Sequence, residues 1–304
     1  MTSFIAIGLF TGFIYSLVAL GYTLVYGILR LINFAHSEIF MCGAFGGYFY
    51  LRVFVNYQTP PSGAASVFWI GTGILVSGAI GGIMAIVLER FAYRPLRRRN
   101  APPLTYLISA IGASYFLIYF VGKEFGYYQV ALPQPYTNGP AFTVFGAEIT
   151  TYNVIVMIAA VALLVFLDVT INHTKLGRGI RAVAQDTQMA SLMGVNIDRT
   201  IATTFFLGGV LGGAAGFLFA LSTGVSSTMG FVPALYAFTA AVLGGIGNIR
   251  GAMLGGLVLG IVQTVPIFWL QQIWYTEPIA FAVLIMLLIF RPTGLLGERL
   301  GRTA

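Results

Sequence analysis

The segment 152–171, YNVIVMIAAVALLVFLDVTI, holds twenty residues and a single Asp, Glu, Lys or Arg, Asp168. A run like this limits the fold severely. A bilayer core of about 30 Å is crossed by roughly 20 apolar helical residues, because each backbone N–H and C=O must find its partner inside the segment. Comparable runs occupy 4–28, 38–56, 66–88, 104–122, 200–222, 231–247, 251–270 and 278–291, the last and 231–247 being short. Charged residues make up only 8% of the chain, against roughly 25% in soluble domains. The expectation is one integral membrane domain over residues 1–304, an all-α polytopic transmembrane helical bundle of roughly 8–9 spans. No secretory cleavage pattern precedes the run that starts at Phe4, which is expected to be retained as a span.

The charges orient the bundle. Basic residues concentrate in ERFAYRPLRRRN (89–100), in 172–200 and in RPTGLLGERLGR (291–302). Short basic loops beside apolar runs mark the cytoplasmic face. With 89–103 inside and the spans alternating, the loops 29–37, 172–199, 248–250 and the C-terminus are also cytoplasmic, and only Arg52 and Lys123 among the basic residues fall elsewhere. This fits nine spans with an external N-terminus, or eight if 231–260 holds a re-entrant pair or an early segment fails to cross, and it argues against a nucleic-acid surface despite the net charge of +7. The outer loop 123–151, with LPQP, NGP and several aromatics, reads as an interfacial cover or as a contact for an external partner.

Glycine spacing in FLGGVLGGAAGF aligns Gly208, Gly212 and Gly216 on one helix face, the pattern of close helix crossing. The second glycine-rich run, VLGGIGNIRGAMLGGLVLG, contains Asn248 and Arg250, which point to a tight turn or hinge. The lone Cys42 excludes an internal disulfide or a cysteine metal cluster and reads as a packing residue.

Catalytic chemistry is hard to assemble from this chain. The two histidines, His36 and His173, lack ligand-spaced partners, and no G-x-S-x-G, H-E-x-x-H or P-loop lysine is present. An ion-driven carrier needs ionisable groups along a midplane path, yet Glu38 and Asp168 are expected near cytoplasmic ends. The spans suggest passage of a solute, with energy supplied from outside the chain. One polar cluster, Asn33, His36, Ser37 and Glu38 in LINFAHSEIF, joins the first two spans. It reads either as a broken helix lining a pathway or as a tight connection in which Ser37 caps the next helix and Glu38 favours its N-terminal dipole.

Within the cytoplasmic segment 172–199, RGIRAVAQDTQMASLM (178–193) predicts a short helix stopped by Gly194. Ile180, Val183 or Ala184, Thr187 and Ala190 would form a small apolar stripe bordered by Arg178, Arg181, Gln185 and Asp186. Such a face reads as docking into a groove of another protein, or as an amphipathic helix resting on lipid headgroups, for which its small non-aromatic residues are a poor anchor.

Three blocks, GYTLVYGILRLINFAHSEIFMCGAF (21–45), GRGIRAVAQDTQMASLMGVNIDRTIATTF (177–205) and AFTAAVLGGIGNIRGAMLGGLVLGI (237–261), together with ERFAYRPLR and RPTGLLG, resemble the branched-chain amino acid ABC-importer permeases of the LivH type. The likeness runs in order along nearly the whole chain. Ser37 departs from the family's usual Gly, and Asn248 from its usual small residues. The resemblance implies a second, homologous LivM-like permease subunit, two ABC ATP-binding subunits carrying ATP and Mg, and a periplasmic or surface amino-acid-binding protein. It implies a multi-pass location in the bacterial inner membrane, in contact with membrane lipid, with no cofactor in this chain. Carried onto this sequence, Gln185, Asp186, Ala190 and Gly194 would sit in a coupling helix, with Arg178 and Arg181 beside them, while Asn33, His36, Ser37, Glu38 and Asn248 remain pathway candidates. A urea or amide permease of the same superfamily is the near alternative; a passive channel and an ion-coupled carrier are more distant ones.

Overall fold

A computed structural model describes residues 2–297 except 32, 56–60, 62, 138, 145–146, 270–271 and 292. The basic residues Arg299 and Arg302 of the C-terminal run therefore lie outside the described residues. Nine helices answer the nine apolar runs: α1 (Thr2–Leu29), α2 (His36–Phe54), α3 (Ala64–Leu88), α5 (Pro103–Phe125), α6 (Thr151–His173), α9 (Ile197–Thr223), α10 (Phe231–Gly244), α11 (Ile249–Trp269) and α12 (Thr276–Phe290). Among the described residues, six helical stretches, those of α1, α3, α5, α6, α9 and α11, are long and apolar enough to cross a bilayer. The helices α10 and α12, of 14 and 15 residues, extend only about 21 Å and 22 Å at 1.5 Å per residue.

The bundle is built around α9. Its most apolar stretch is 83% buried, against 22% for α5 and 28% for α6 on the periphery. α2 and α3 pack on one side of α9, while α1, backed by α10 and α11, packs on the other. Glycines permit these close approaches. A side chain on Gly213 would overlap the Ser77 carbonyl, and its Cβ would lie only 3.0 Å from the Cα of Gly81. Gly8 and Gly12 bring α1 against Gly260 and Gly256 of α11 in the same way. Packing, expected for 208–216, is therefore what those glycines serve. The second glycine-rich run does hold a tight turn: Gly245 and Gly247 adopt φ of 105° and 96° between α10 and α11.

Three expectations are corrected. The basic segment 89–98 is not a loop. Helix α3 continues through a π-helical turn (Glu89–Tyr93) into α4 (Arg94–Arg98), leaving 99–102 as the connection to α5. Pro95 lacks an N–H and crowds the preceding turn, so the ladder loosens to a wider turn instead of ending. The outer loop 123–151 contains a two-stranded antiparallel hairpin, β1 (Pro140–Val144) and β2 (Ala147–Thr150). An isolated bridge also joins Val130 to Val225. Finally, the helix expected over 178–193 is two helices, α7 (Lys175–Gln185) and α8 (Thr187–Leu192).

Candidate functional site

Before α2 begins the chain has turned back into the bundle, with Asn33 and Ala35 both buried. His36 opens α2, and its ring packs between Gly21 of α1 and Gly212 of α9. Gly212 lies fifteen residues into α9, about 22 Å along its axis. The carbonyl of Ser37 abuts Gly230 at the threshold of α10. Glu38 therefore sits in the interior, not near a membrane face as its place in the sequence implied. Ser37 does not cap the helix. Ala35 occupies the N-cap without a side-chain bond, and Ser37 lies within the first turn, 2.9 Å from the Phe34 carbonyl oxygen.

The cluster is sealed: Asn33, His36, Ser37 and Glu38 are all buried. The Asn33 amide oxygen accepts from the Ala35 N–H at 3.1 Å and from the Tyr93 phenol at 2.7 Å. The Glu38 carboxylate accepts from Ser37 at 2.7 Å and from Ser114 of α5 at 2.8 Å. Tyr22 meets the His36 ring edge-on with centroids 4.7 Å apart. Two buried polar atoms, Asn33 Nδ2 and His36 Nε2, have no hydrogen-bond partner among the described residues, an arrangement that costs stability and recurs at functional positions. Tyr22, Tyr93 and Ser114 escaped sequence reasoning because they come from other segments. The buried Tyr93 also stacks near Phe205, with centroids 5.3 Å apart.

Asn248 is engaged elsewhere. Its amide oxygen caps α11 by accepting from Gly251 N–H at 3.1 Å, and its amide nitrogen donates to the Leu296 carbonyl at 2.8 Å. The Leu295 and Leu296 N–H groups bond the carbonyls of Leu243 and Gly244, so residues 295–296 close the C-terminal end of α10.

At the basic end, the α7–α8 unit packs on α6, α9 and α1. Thr174 caps α7 by accepting from Gly177 N–H at 3.1 Å, and Arg181 reaches back to the Ile171 carbonyl of α6. Asp186 breaks the expected continuous helix. Its carboxylate accepts from the N–H groups of Gln188 at 2.8 Å and Met189 at 3.0 Å, starting α8 as an N-cap. Gly194, with φ of 84°, ends α8 as its composition foretold. Of the expected stripe, Ile180, Val183 and Ala190 are buried against the chain itself and do not form an open docking face, while Thr187 stays exposed. Met189, Leu192 and Met193 point outward instead, at 62%, 81% and 84% exposure, in company with Arg178, Gln185 and Asp186.

Residues 4–288 match the family described as branched-chain amino acid transport system / permease component. The chain is 40% identical to the high-affinity branched-chain amino acid transport system permease protein LivH of Escherichia coli K12, covering 96% of this chain and 94% of that one. It is 39% identical to BraD of Pseudomonas aeruginosa, a permease protein with the same description, over the same shares. Among solved structures, a chain of PsaBC from Streptococcus pneumoniae in complex with Fab shares the fold at TM-score 0.50 and 12% identity, covering 95% of this chain and 92% of that one. With a match that runs almost end to end, the chain belongs to the branched-chain amino acid permease family.

Proposed function

We propose that this chain is the membrane-spanning permease subunit of an ABC importer that carries branched-chain amino acids across the bacterial inner membrane. Two ATP-binding subunits, which hold ATP and Mg, supply the energy. A related LivM-like permease subunit completes the passage, and a solute-binding protein delivers the amino acid from outside. The names of the relatives support the substrate class. The observation that carries the coupling is the outward patch of Met189, Leu192 and Met193. It stands on a unit braced against α6 by Thr174 and Arg181 and folded in two by Asp186. A rigidly attached, exposed apolar knob at the basic end is what a groove on a hydrolysing subunit can push.

Ala190 and Arg181 serve in this reading by holding the knob, whereas Arg178, Gln185 and Asp186 border it and Gly194 ends it. Asn33, His36, Ser37 and Glu38, buried together, form in this reading the polar joint of a route that opens when α2 shifts against α9. Asn248 acts as the pivot of the α10–α11 turn. The decisive experiment reconstitutes the chain with its permease, ATP-binding and solute-binding partners in vesicles and follows leucine, isoleucine, valine and urea uptake. ATP-dependent uptake of the branched-chain amino acids is expected. Uptake without nucleotide, uptake driven by an ion gradient, or uptake of urea alone would overturn the proposal.

A further inference from the structure

On the outer flank of the bundle, Met84, Val87 and Phe91 face Ala113, Phe116 and Leu117 of α5 across a groove of about 450 Å³. Phe91 and Phe116 stand 77% and 66% exposed as its walls. The groove follows the helix axes for roughly 12 Å, the rise of the eight steps from Met84 to Ala92. The hydroxyl of Ser109, which also lines it, is turned to the Ala92 carbonyl at 3.3 Å. The slot therefore presents hydrocarbon to whatever enters it.

Directly beyond its Ala92–Ser109 end comes the arginine-rich segment. Glu89 engages Arg94 and Arg97, and Asp198 engages Arg97 and Arg98. Arg90 and Arg99 are exposed and have no ion pair among the described residues. Arg99 occupies the turn from α4 to α5, where the two walls of the groove converge.

An apolar slot flanked by unpaired cations, Arg90 next to Phe91 and Arg99 beyond Ala92, fits one kind of molecule. We propose that the α3–α5 groove binds an anionic phospholipid, with an acyl chain laid between Phe91 and Phe116 and the headgroup phosphate set against Arg99 and Arg90. A free phosphate gains nothing from the slot, and a zwitterionic lipid brings its own cation to the arginines. Arginines near a lipid surface favour anionic headgroups, and each methylene laid in the slot leaves water for an apolar wall. The inference is independent of what the chain transports.

The full-length chain, stripped of lipid in detergent, is titrated with phosphatidylglycerol, with phosphatidylcholine of the same acyl chains, and with inorganic phosphate. Retained lipid is counted by native mass spectrometry. Phosphatidylglycerol is expected to bind roughly tenfold or more tightly than phosphatidylcholine, and phosphate should not bind. Arg90→Glu with Arg99→Glu, both on the surface, should lower phosphatidylglycerol to the phosphatidylcholine level. Ala113→Trp, which fills the groove, should weaken both lipids. Equal affinity for the two lipids in the unaltered chain would overturn the proposal. So would phosphatidylglycerol binding that survives both changes, or loss of a co-purifying membrane subunit from Ala113→Trp with lipid retention intact, which would assign the groove to that subunit.

Discussion

Arg97 of α4 lies 2.6 Å from Asp198 at the start of α9, a contact between residues 101 apart in the chain. The same guanidinium reaches Glu89 at 3.1 Å, and the Glu89 side chain is wholly buried. Glu89, Arg97 and Asp198 form one relay that pins the end of the longest helical stretch to the central helix. The members should not be equally costly to remove. Glu89→Ala strands two arginines beside a desolvated site and is expected to cost about 3–5 kcal/mol. Asp198→Asn affects a half-exposed group and should cost about 1 kcal/mol or less. Thermal unfolding in detergent should therefore rank Glu89→Ala well below Asp198→Asn. Equal melting temperatures would mean the relay carries no load.

A single hydrogen bond ties the inward-dipping connection to that same long element. The Tyr93 phenol donates to Asn33 across sixty residues of sequence, with both side chains buried. Tyr93→Phe keeps the ring and removes the donor. Asn33 Oδ1 still accepts from Ala35, so the loss is expected near 1 kcal/mol, not the larger penalty of an orphaned acceptor. Tyr93→Phe should lower the melting temperature modestly and leave assembly intact. Adding Asn33→Ala should cost less than the sum of the single changes, because the two share one bond. Strict additivity would contradict the pairing.

The glycines of the α3–α9 crossing and the glycines of the periphery make opposite predictions from the same substitution. A Cβ on Gly213 meets the Ser77 carbonyl and the backbone of Gly81, neither of which can swing aside. A Cβ on Gly112 of α5 meets nothing within 4 Å. Gly213→Ala is expected to destabilise by about 1–3 kcal/mol through overpacking. Gly112→Ala, in a helix interior, should stabilise by a few tenths to about 1 kcal/mol. Expression and melting temperature in detergent read both. A neutral Gly213→Ala would show that the helices separate more easily than their contact implies.

Asn248 holds two chain segments with one amide, capping α11 through Gly251 and binding the Leu296 carbonyl. Asn248→Ala should cost about 1–2 kcal/mol in stability. It should also raise hydrogen exchange at the Leu295 and Leu296 amides, which bond the end of α10. Asn248→Asp preserves the cap but removes the donor, so it should free Leu296 while sparing the start of α11. Identical exchange in both variants would separate Asn248 from the closing segment.

Much of this architecture was legible because lipid imposes a simple grammar. Nine apolar runs became nine helices, and the turn at Gly245–Asn248 and the stop at Gly194 fell where glycine and polar residues announced them. What escaped was tertiary. Pro95 was read as part of a loop, but the neighbouring Glu89–Arg94–Arg97 bonds hold a widened turn together. Glu38 looked peripheral by residue count, since nothing in 30–35 says that the connection doubles back into the bundle beside Gly212. Periodicity found the small apolar face of α7 without saying which way it points. The capping carboxylate of Asp186 changes the phase between α7 and α8, and burial then turns Ile180, Val183 and Ala190 toward the chain itself.

That reversal yields a test that separates folding from docking. Leu192 is 81% exposed on the outer side of α8, whereas Ala190, two residues earlier, is 4% exposed. Leu192→Glu places a charge where only solvent or a partner can meet it, so the chain should insert, melt and retain lipid as before. If a hydrolysing subunit seats on this knob, desolvating that carboxylate without a partner should weaken co-purification by at least roughly tenfold. ATP-driven uptake should fall with it. Ala190→Trp is expected to fail differently, by lowering melting temperature and yield before any partner is present, since an indole cannot enter the packed site. Should Leu192→Glu assemble normally while Met189→Glu and Met193→Glu do so as well, the outward patch is not the contact, and force must enter the bundle elsewhere.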